Sequence, residues 1–182
     1  MTTNIQYEQA VESCKEIFLK KTKDYGTSWR VYRTISVADQ IYIKAKRIRT
    51  IQGKGVQKIG DDIISEFKGI LNYGIIGLIQ LDIKDEEVED LPYATVEQLY
   101  NEKAAIAKKL MEDKNHDYGE AWREMSQESF VDLILAKILR IKQILLNKGE
   151  TIISEGIDAN FYDIINYAAF GLILIDEEIH SK

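Results

Sequence analysis

Two short stretches, KDYGTSW at residues 23 to 29 and HDYGEAW at residues 116 to 122, each place a carboxylate, a phenol and an indole around a glycine. Asp24, Tyr25 and Trp29 in the first, and Asp117, Tyr118 and Trp122 in the second, suit one wall of a nucleotide pocket. The acid would take a metal or a substrate hydroxyl, and a ring would stack on a base. The competing reading is a tertiary salt bridge or a cap, with the tryptophans as core anchors. Either way the acid needs a reason to be there, because a carboxylate in the last turn of a helix opposes the negative end of the dipole by about 0.3 to 1 kcal/mol.

Farther along, Lys44 with Arg47, and again Lys137 with Arg140, lie three residues apart and share a helix face. Asp39 and Asp132 precede the two arginines by eight residues, roughly 80° around a helix. Acid and cations so placed suit a metal-bound phosphate, the carboxylate holding Mg2+ and the basic pair neutralising phosphate oxygens. An aspartate in a first helical turn is also favoured by the dipole alone. Asp163, Asn166 and Tyr167 share one face of an otherwise apolar segment, where buried polar groups must pair or face a cavity. Asn72 and Tyr73 repeat that arrangement in the first half, but Gly69 stands where Asp163 would be. The second half is therefore expected to keep the fuller set, with Asp132, Glu155, Asp158 and Asp163 as candidate metal ligands. Candidate nucleotide contacts are Asp117, Tyr118, Trp122, Lys137, Arg140, Asn166 and Tyr167, with Asp24, Tyr25, Trp29, Lys44, Arg47, Asn72 and Tyr73 as their first-half counterparts. No residue is assigned a catalytic role.

These pairs follow from a repeat that runs through most of the chain. At an offset of 93, Trp29-Arg30 falls on Trp122-Arg123, Ser36 on Ser129, Asp39 on Asp132, Lys44 on Lys137 and Arg47 on Arg140. After one inserted residue, at 94, Phe67 falls on Phe161, Asn72-Tyr73 on Asn166-Tyr167 and Gly77-Leu78 on Gly171-Leu172.

Each unit predicts three helices. The first spans about 4 to 24 and 96 to 117, ending at Gly26 or Gly119 as a cap. The second starts near Ser36 or Ser129 as N-caps, and the third, almost wholly apolar, spans about 61 to 81 and 157 to 176. The expected organisation is a first repeat over residues 1–81, an acidic linker over 82–95 ending near Pro92, and a second repeat over 96–182. Such short units hide their apolar faces best against each other, so the predicted fold is an all-α bundle of two three-helix repeats packed as a pseudo-dimer, third helices at the centre.

Composition narrows the classes. The 182 residues are 45 % hydrophobic and 30 % charged, with one proline, which suits long helices and excludes a disordered or fibrous chain. Residues 1 to 81 carry 13 Lys and Arg against 8 Asp and Glu, and the remainder 11 against 22, a net charge of -6. The basic share gathers in KAKRIRTIQGKGVQK at residues 44 to 58, which suits phosphate, or the solvated face of a helix and its exit. A single cysteine, Cys14, and the lack of a basic-then-apolar leader predict a reduced cytoplasmic protein, and no apolar run is long enough for a membrane span. His116 and His180 are far apart and there is no Cys/His cluster, which argues against zinc.

The order K-x-x-Asp-Tyr-Gly-x-x-Trp, then Asp with Lys and Arg on one helix, then Asp-x-x-Asn-Tyr on the next, resembles the nucleotide-modification-associated domain, type 1, in both units. That resemblance implies a role close to nucleotide or modified-base metabolism. The layout is more loosely similar to the all-α nucleoside triphosphate pyrophosphohydrolases, whose paired acids hold Mg2+ around a triphosphate. By that similarity Asp132, Glu155, Asp158 and Asp163 would hold metal, although the paired Glu-x-x-Glu is missing and Lys137 and Arg140 occupy its helix. The expected partner is a nucleotide or nucleoside phosphate, handled by a Mg2+-dependent phosphohydrolase. The alternatives are a non-catalytic nucleotide- or nucleic-acid-binding module and a structural helical protein, in a monomer or homodimer.

Overall fold

The computed structural model describes residues 1–54, 62–83 and 89–182. The end of the basic stretch (residues 55 to 58), Asp61 and the middle of the linker (84 to 88) lie outside the described residues. Within them the chain forms α1 (Thr3–Tyr25), α2 (Thr34–Lys54), α3 (Ile63–Ile83), α4 (Tyr93–Tyr118), α5 (Gln127–Leu146) and α6 (Ile157–Asp176). Short 3-10 turns at Ser28–Val31 and Ala121–Glu124 follow α1 and α4. Among the described residues no helix is long and apolar enough to cross a membrane.

The helix ends follow local chemistry. Gly26 and Gly119 both take positive φ, 70° and 63°, and each donates its N–H to a carbonyl four residues back, at 2.8 Å. The second helices begin two residues earlier than the serines chosen from sequence. Ser126, in extended backbone, accepts from Ser129 N–H at 3.1 Å, which puts Ser129 inside the first turn of α5. Likewise α2 starts at Thr34, so Ser36 is already helical.

Each helix packs against its equivalent in the other unit: α1 on α4, α2 on α5, and α3 on α6. The three pairs stack as layers with α3 and α6 in the middle, the pseudo-dimer expected from the repeat. Phe67 of α3 fills the space above Gly171 of α6, and Phe161 of α6 does the same above Gly77 of α3. A Cβ on Gly77 would come within 2.7 Å of the Phe161 ring, and one on Gly171 within 2.9 Å of Phe67, so glycine is required at both crossings. Both phenylalanines are fully buried, each worth about 1.5 to 3 kcal/mol in removed apolar surface.

Polar groups obey the same symmetry. Asn72 donates to the Cys14 carbonyl of its own unit at 3.0 Å and accepts from the Tyr100 hydroxyl of the other at 2.8 Å. Asn166 donates to the Ala107 carbonyl at 3.1 Å and accepts from Tyr7 at 2.6 Å. On the opposite face, Lys142 pairs with Asp39 at 2.8 Å and Arg49 with Asp132 at 3.8 Å, each bridge crossing between α2 and α5. Cys14 is buried in this seam, its thiol pushed up to about 12 by desolvation.

Candidate functional site: a cationic pocket in the first unit

The first unit contains a recess of about 330 Å3 bounded by α1, its 3-10 turn, α2 and α3. Four phenol and indole rings, Tyr25, Trp29, Tyr32 and Tyr73, contribute to its walls together with Lys21, Lys44, Glu66 and Gly69. The local fold explains the convergence. The 3-10 turn folds Trp29 back onto α1, where its ring lies 6.2 Å from Phe18. Gln80 of α3 holds the turn by donating to the carbonyls of Trp29, Arg30 and Tyr32 at 3.2, 2.9 and 2.8 Å, and Arg30 donates back to Gln80. Thr27 fastens the linker, giving a hydrogen bond to the Glu89 carbonyl at 2.8 Å and taking one from Leu91 N–H at 2.9 Å.

Lys44 reaches across Gly69, and a Cβ there would meet its Cδ and Cε at 2.9 Å and its Nζ at 3.2 Å. The ammonium group lies 5.9 Å from the Tyr73 ring centre, a cation–π arrangement. Among the described residues neither Lys21 nor Lys44 has a carboxylate within ion-pair distance. Tyr32 and Tyr73 stack with centres 6.4 Å apart. Burial, reinforced by Tyr32, pushes the Tyr73 hydroxyl up to about 12, so it stays a neutral donor near pH 7.

In the second unit Asp163 occupies the corresponding space. Lys114 contacts one of its oxygens at 2.7 Å and Lys137 the other at 2.9 Å. Burial raises the Asp163 pKa, but hydrogen bonds from the two lysines outweigh it and hold the carboxyl below its ordinary range. Trp122 stacks flat on Phe170, 4.1 Å between centres, where the first unit has Trp29 and Ile76. In the second unit, where the fuller set was expected, the acid is thus paired with lysines of its own unit, whereas Gly69 leaves the equivalent first-unit position without one.

The four acids chosen as metal ligands do not converge. Asp132 bridges to Arg49, Asp163 sits between lysines, Glu155 is exposed on the loop before α6, and Asp158 is exposed in the first turn of α6. Among the described residues no three of His, Cys, Asp or Glu gather as a cation site would require. Asp132 takes its partner from the other unit and Asp163 takes both of its partners from its own.

Of the nucleotide contacts expected from sequence, Tyr25, Trp29, Lys44, Asn72 and Tyr73 line the first-unit recess. Arg47 stands behind it, paired at 3.1 Å with Glu66. Asp24 is exposed, as is Asp117, which meets the His116 ring at 3.2 Å; with both acids in solvent, the unfavourable dipole costs little. In the second unit Tyr118 is exposed, Asn166 is the buried partner of Tyr7, and Tyr167 is half-buried near Phe130. Arg140 lines a separate surface recess with Lys137, Glu155 and Asn160. Sequence reasoning placed Lys21 and Lys114 only at the head of the K-x-x-Asp-Tyr-Gly motif, with no site role, and missed Tyr32. Extending the offset of 93 back into the first helix would have paired Lys21 with Lys114 and Tyr7 with Tyr100.

Neither the curated proteins nor the solved structures yielded a match to this chain. A family model, Nucleotide modification associated domain 1, matches residues 21–81 and again residues 114–175. The matched segments open on Lys21, which lines the first-unit recess, and on Lys114, which pairs with Asp163, and run through every helix that builds the two sites. With more than half of its length covered, in two copies, the chain belongs to the nucleotide modification associated domain 1 family.

Proposed function

We propose that the first-unit recess binds a nucleoside phosphate, the phosphate between Lys21 and Lys44 and the base against Tyr25, Tyr32 or Tyr73. The observation that carries this reading is Gly69: where the second unit has a carboxylate between two lysines, the first leaves both lysines facing an aromatic-walled cavity. Two ammonium groups with no acid between them attract an anion, and neutral phenols add donors and stacking surface. The volume falls near the lower end of about 300 to 1,000 Å3 typical of small-molecule sites. Family membership favours a nucleotide over other anions.

A second reading, Mg2+-dependent hydrolysis of the bound nucleotide, is favoured by Glu66, a carboxylate in the wall of the same recess. Arg47 already engages that carboxylate at 3.1 Å, so binding without turnover is the better-supported form.

The test is Gly69→Asp. The position is helical with φ in the ordinary range, and the atoms a side chain would meet belong to the flexible end of Lys44. An aspartate there should take Lys21 and Lys44 as Asp163 takes Lys114 and Lys137. Calorimetric titration with nucleotides, with and without Mg2+, should show binding to the natural chain and none to this variant. The variant should also melt higher, by about 1 kcal/mol from helix propensity and the new ion pair. A folded variant that binds nucleotide undiminished would sink the proposal, and phosphate or pyrophosphate release that requires Mg2+ would establish the hydrolytic form.

A further inference from the structure

We infer that the first-unit recess takes a nucleoside di- or triphosphate free of Mg2+, its phosphates neutralised by lysines alone; the inference rests on the nucleotide reading above. The third helices carry the observation. At the offset of 94, Lys68-Gly69 of α3 falls on Tyr162-Asp163 of α6, so the first unit has one cation more and one acid fewer at these positions. In the second unit the Asp163 carboxylate serves Lys114 and Lys137 at 2.7 and 2.9 Å. In the first, three lysines from three helices, Lys21 of α1, Lys44 of α2 and Lys68 of α3, line one recess. Among the described residues none of the three has a carboxylate within ion-pair distance. The acids around them are engaged elsewhere: Glu16 of α1 pairs with Lys20 at 2.9 Å, and Glu66 of α3 with Arg47 at 3.1 Å. Asp90 of the linker borders Gly26, at the end of α1.

Three ammonium groups around a recess of about 330 Å3 repel one another, and an anion of matching charge relieves that repulsion. One phosphate brings about 1.5 to 2 negative charges near pH 7, which leaves a cation over. A second or third phosphate supplies the rest. Mg2+ does not fit this donor set. It takes oxygen ligands, usually one or two carboxylates besides the phosphates. Among the described residues the one carboxylate in the lining is Glu66, which is buried and held by Arg47. A Mg2+ ion on the phosphates would also occupy oxygens that the lysines need and would repel the ammonium groups.

The experiment is calorimetric titration of the full chain with the mono-, di- and triphosphates of adenosine, guanosine, cytidine and thymidine, first in EDTA and then in excess Mg2+. In EDTA the di- and triphosphate of the best-bound nucleoside should bind at least about tenfold more tightly than its monophosphate, and excess Mg2+ should weaken triphosphate binding by about threefold or more. Lys68→Gln, checked for folding by circular dichroism, should cut that advantage to about threefold or less. Lys109→Gln, which removes an exposed lysine of α4 outside the recess, should leave the advantage intact. Equal affinity for mono- and triphosphate in EDTA, or triphosphate binding that Mg2+ strengthens, overturns this inference while leaving the nucleotide pocket in place. An advantage undiminished in folded Lys68→Gln does the same. Failure of every nucleotide to bind the folded protein overturns both.

Discussion

The two units carry the same cations on the same helices and neutralise different ones. In the first, Glu66 of α3 takes Arg47, and Gly69, one turn later, leaves Lys44 free of acid. In the second, Asp163 takes Lys137, and Asn160, at the position of Glu66, instead donates to the Gly156 carbonyl and leaves Arg140 exposed at a surface recess. Moving a carboxylate by one helical turn thus decides which cation of the second helix the third helix neutralises. Away from those positions the units agree closely: the phenylalanine-on-glycine crossings, the asparagine brackets and the aspartate clasps all occur in pairs. A duplicated chain can let its two units differ at these positions while the shared interface stays intact, because apart from Asn72, which also borders the first-unit recess, these interface residues line neither recess.

That comparison can be broken at its symmetric part first. Phe67→Ala and Phe161→Ala each empty a fully buried position at a central crossing, and each should cost about 3 to 5 kcal/mol in urea unfolding. Costs that differ widely between the two would refute the equivalence of the units at their core.

The asymmetric part gives the next largest effect. Asp163→Ala leaves Lys137 partly buried without its acid, and with Lys114 half-exposed the cost should be about 2 kcal/mol. The sign with pH follows from the depressed carboxyl. Its stabilisation is fully present above the ordinary carboxylate pKa and is lost as pH falls through the lower folded-state value. Stability curves of the natural chain and Asp163→Asn should therefore converge in acid and separate toward neutrality. A gap that persists unchanged into strong acid would show that the carboxylate charge is not what matters.

Smallest of all should be the exposed clasps. Asp39→Ala and Asp132→Ala should each cost about 0 to 1 kcal/mol, less at high salt, and neither should change nucleotide affinity in the first-unit pocket. Loss of binding in Asp132→Ala would bring that residue back as a ligand-holding group.

Much of the fold was legible because helical periodicity and repetition are local or one-dimensional signals. Trp29 with Trp122, Phe67 with Phe161 and Gly77 with Gly171 could be paired from their order alone. The candidate site was only partly legible. Asp39, Asp132, Asn72 and Asn166 recur as a binding site would require, but they also recur as a pseudo-twofold interface requires, and spacing within a unit cannot separate the two. Lys21 was part of the repeated motif but was given no site role, because one lysine on an exposed helix face is ordinary until the third helix is laid beside it.

The sequence by itself determined that there are two copies of one unit, that both are helical, and that position 69 lost the carboxylate kept at position 163. Only the tertiary structure decided what that loss means. The expectation that the missing acid disabled the first unit follows if the acid serves a ligand. Once the helices are packed, Asp163 is seen to pair with two lysines of its own unit, while Gly69 at the same position of the first unit borders a recess lined by Lys21 and Lys44. Charge balance is a property of groups brought within a few ångströms of one another, and only the packed helices establish which groups those are.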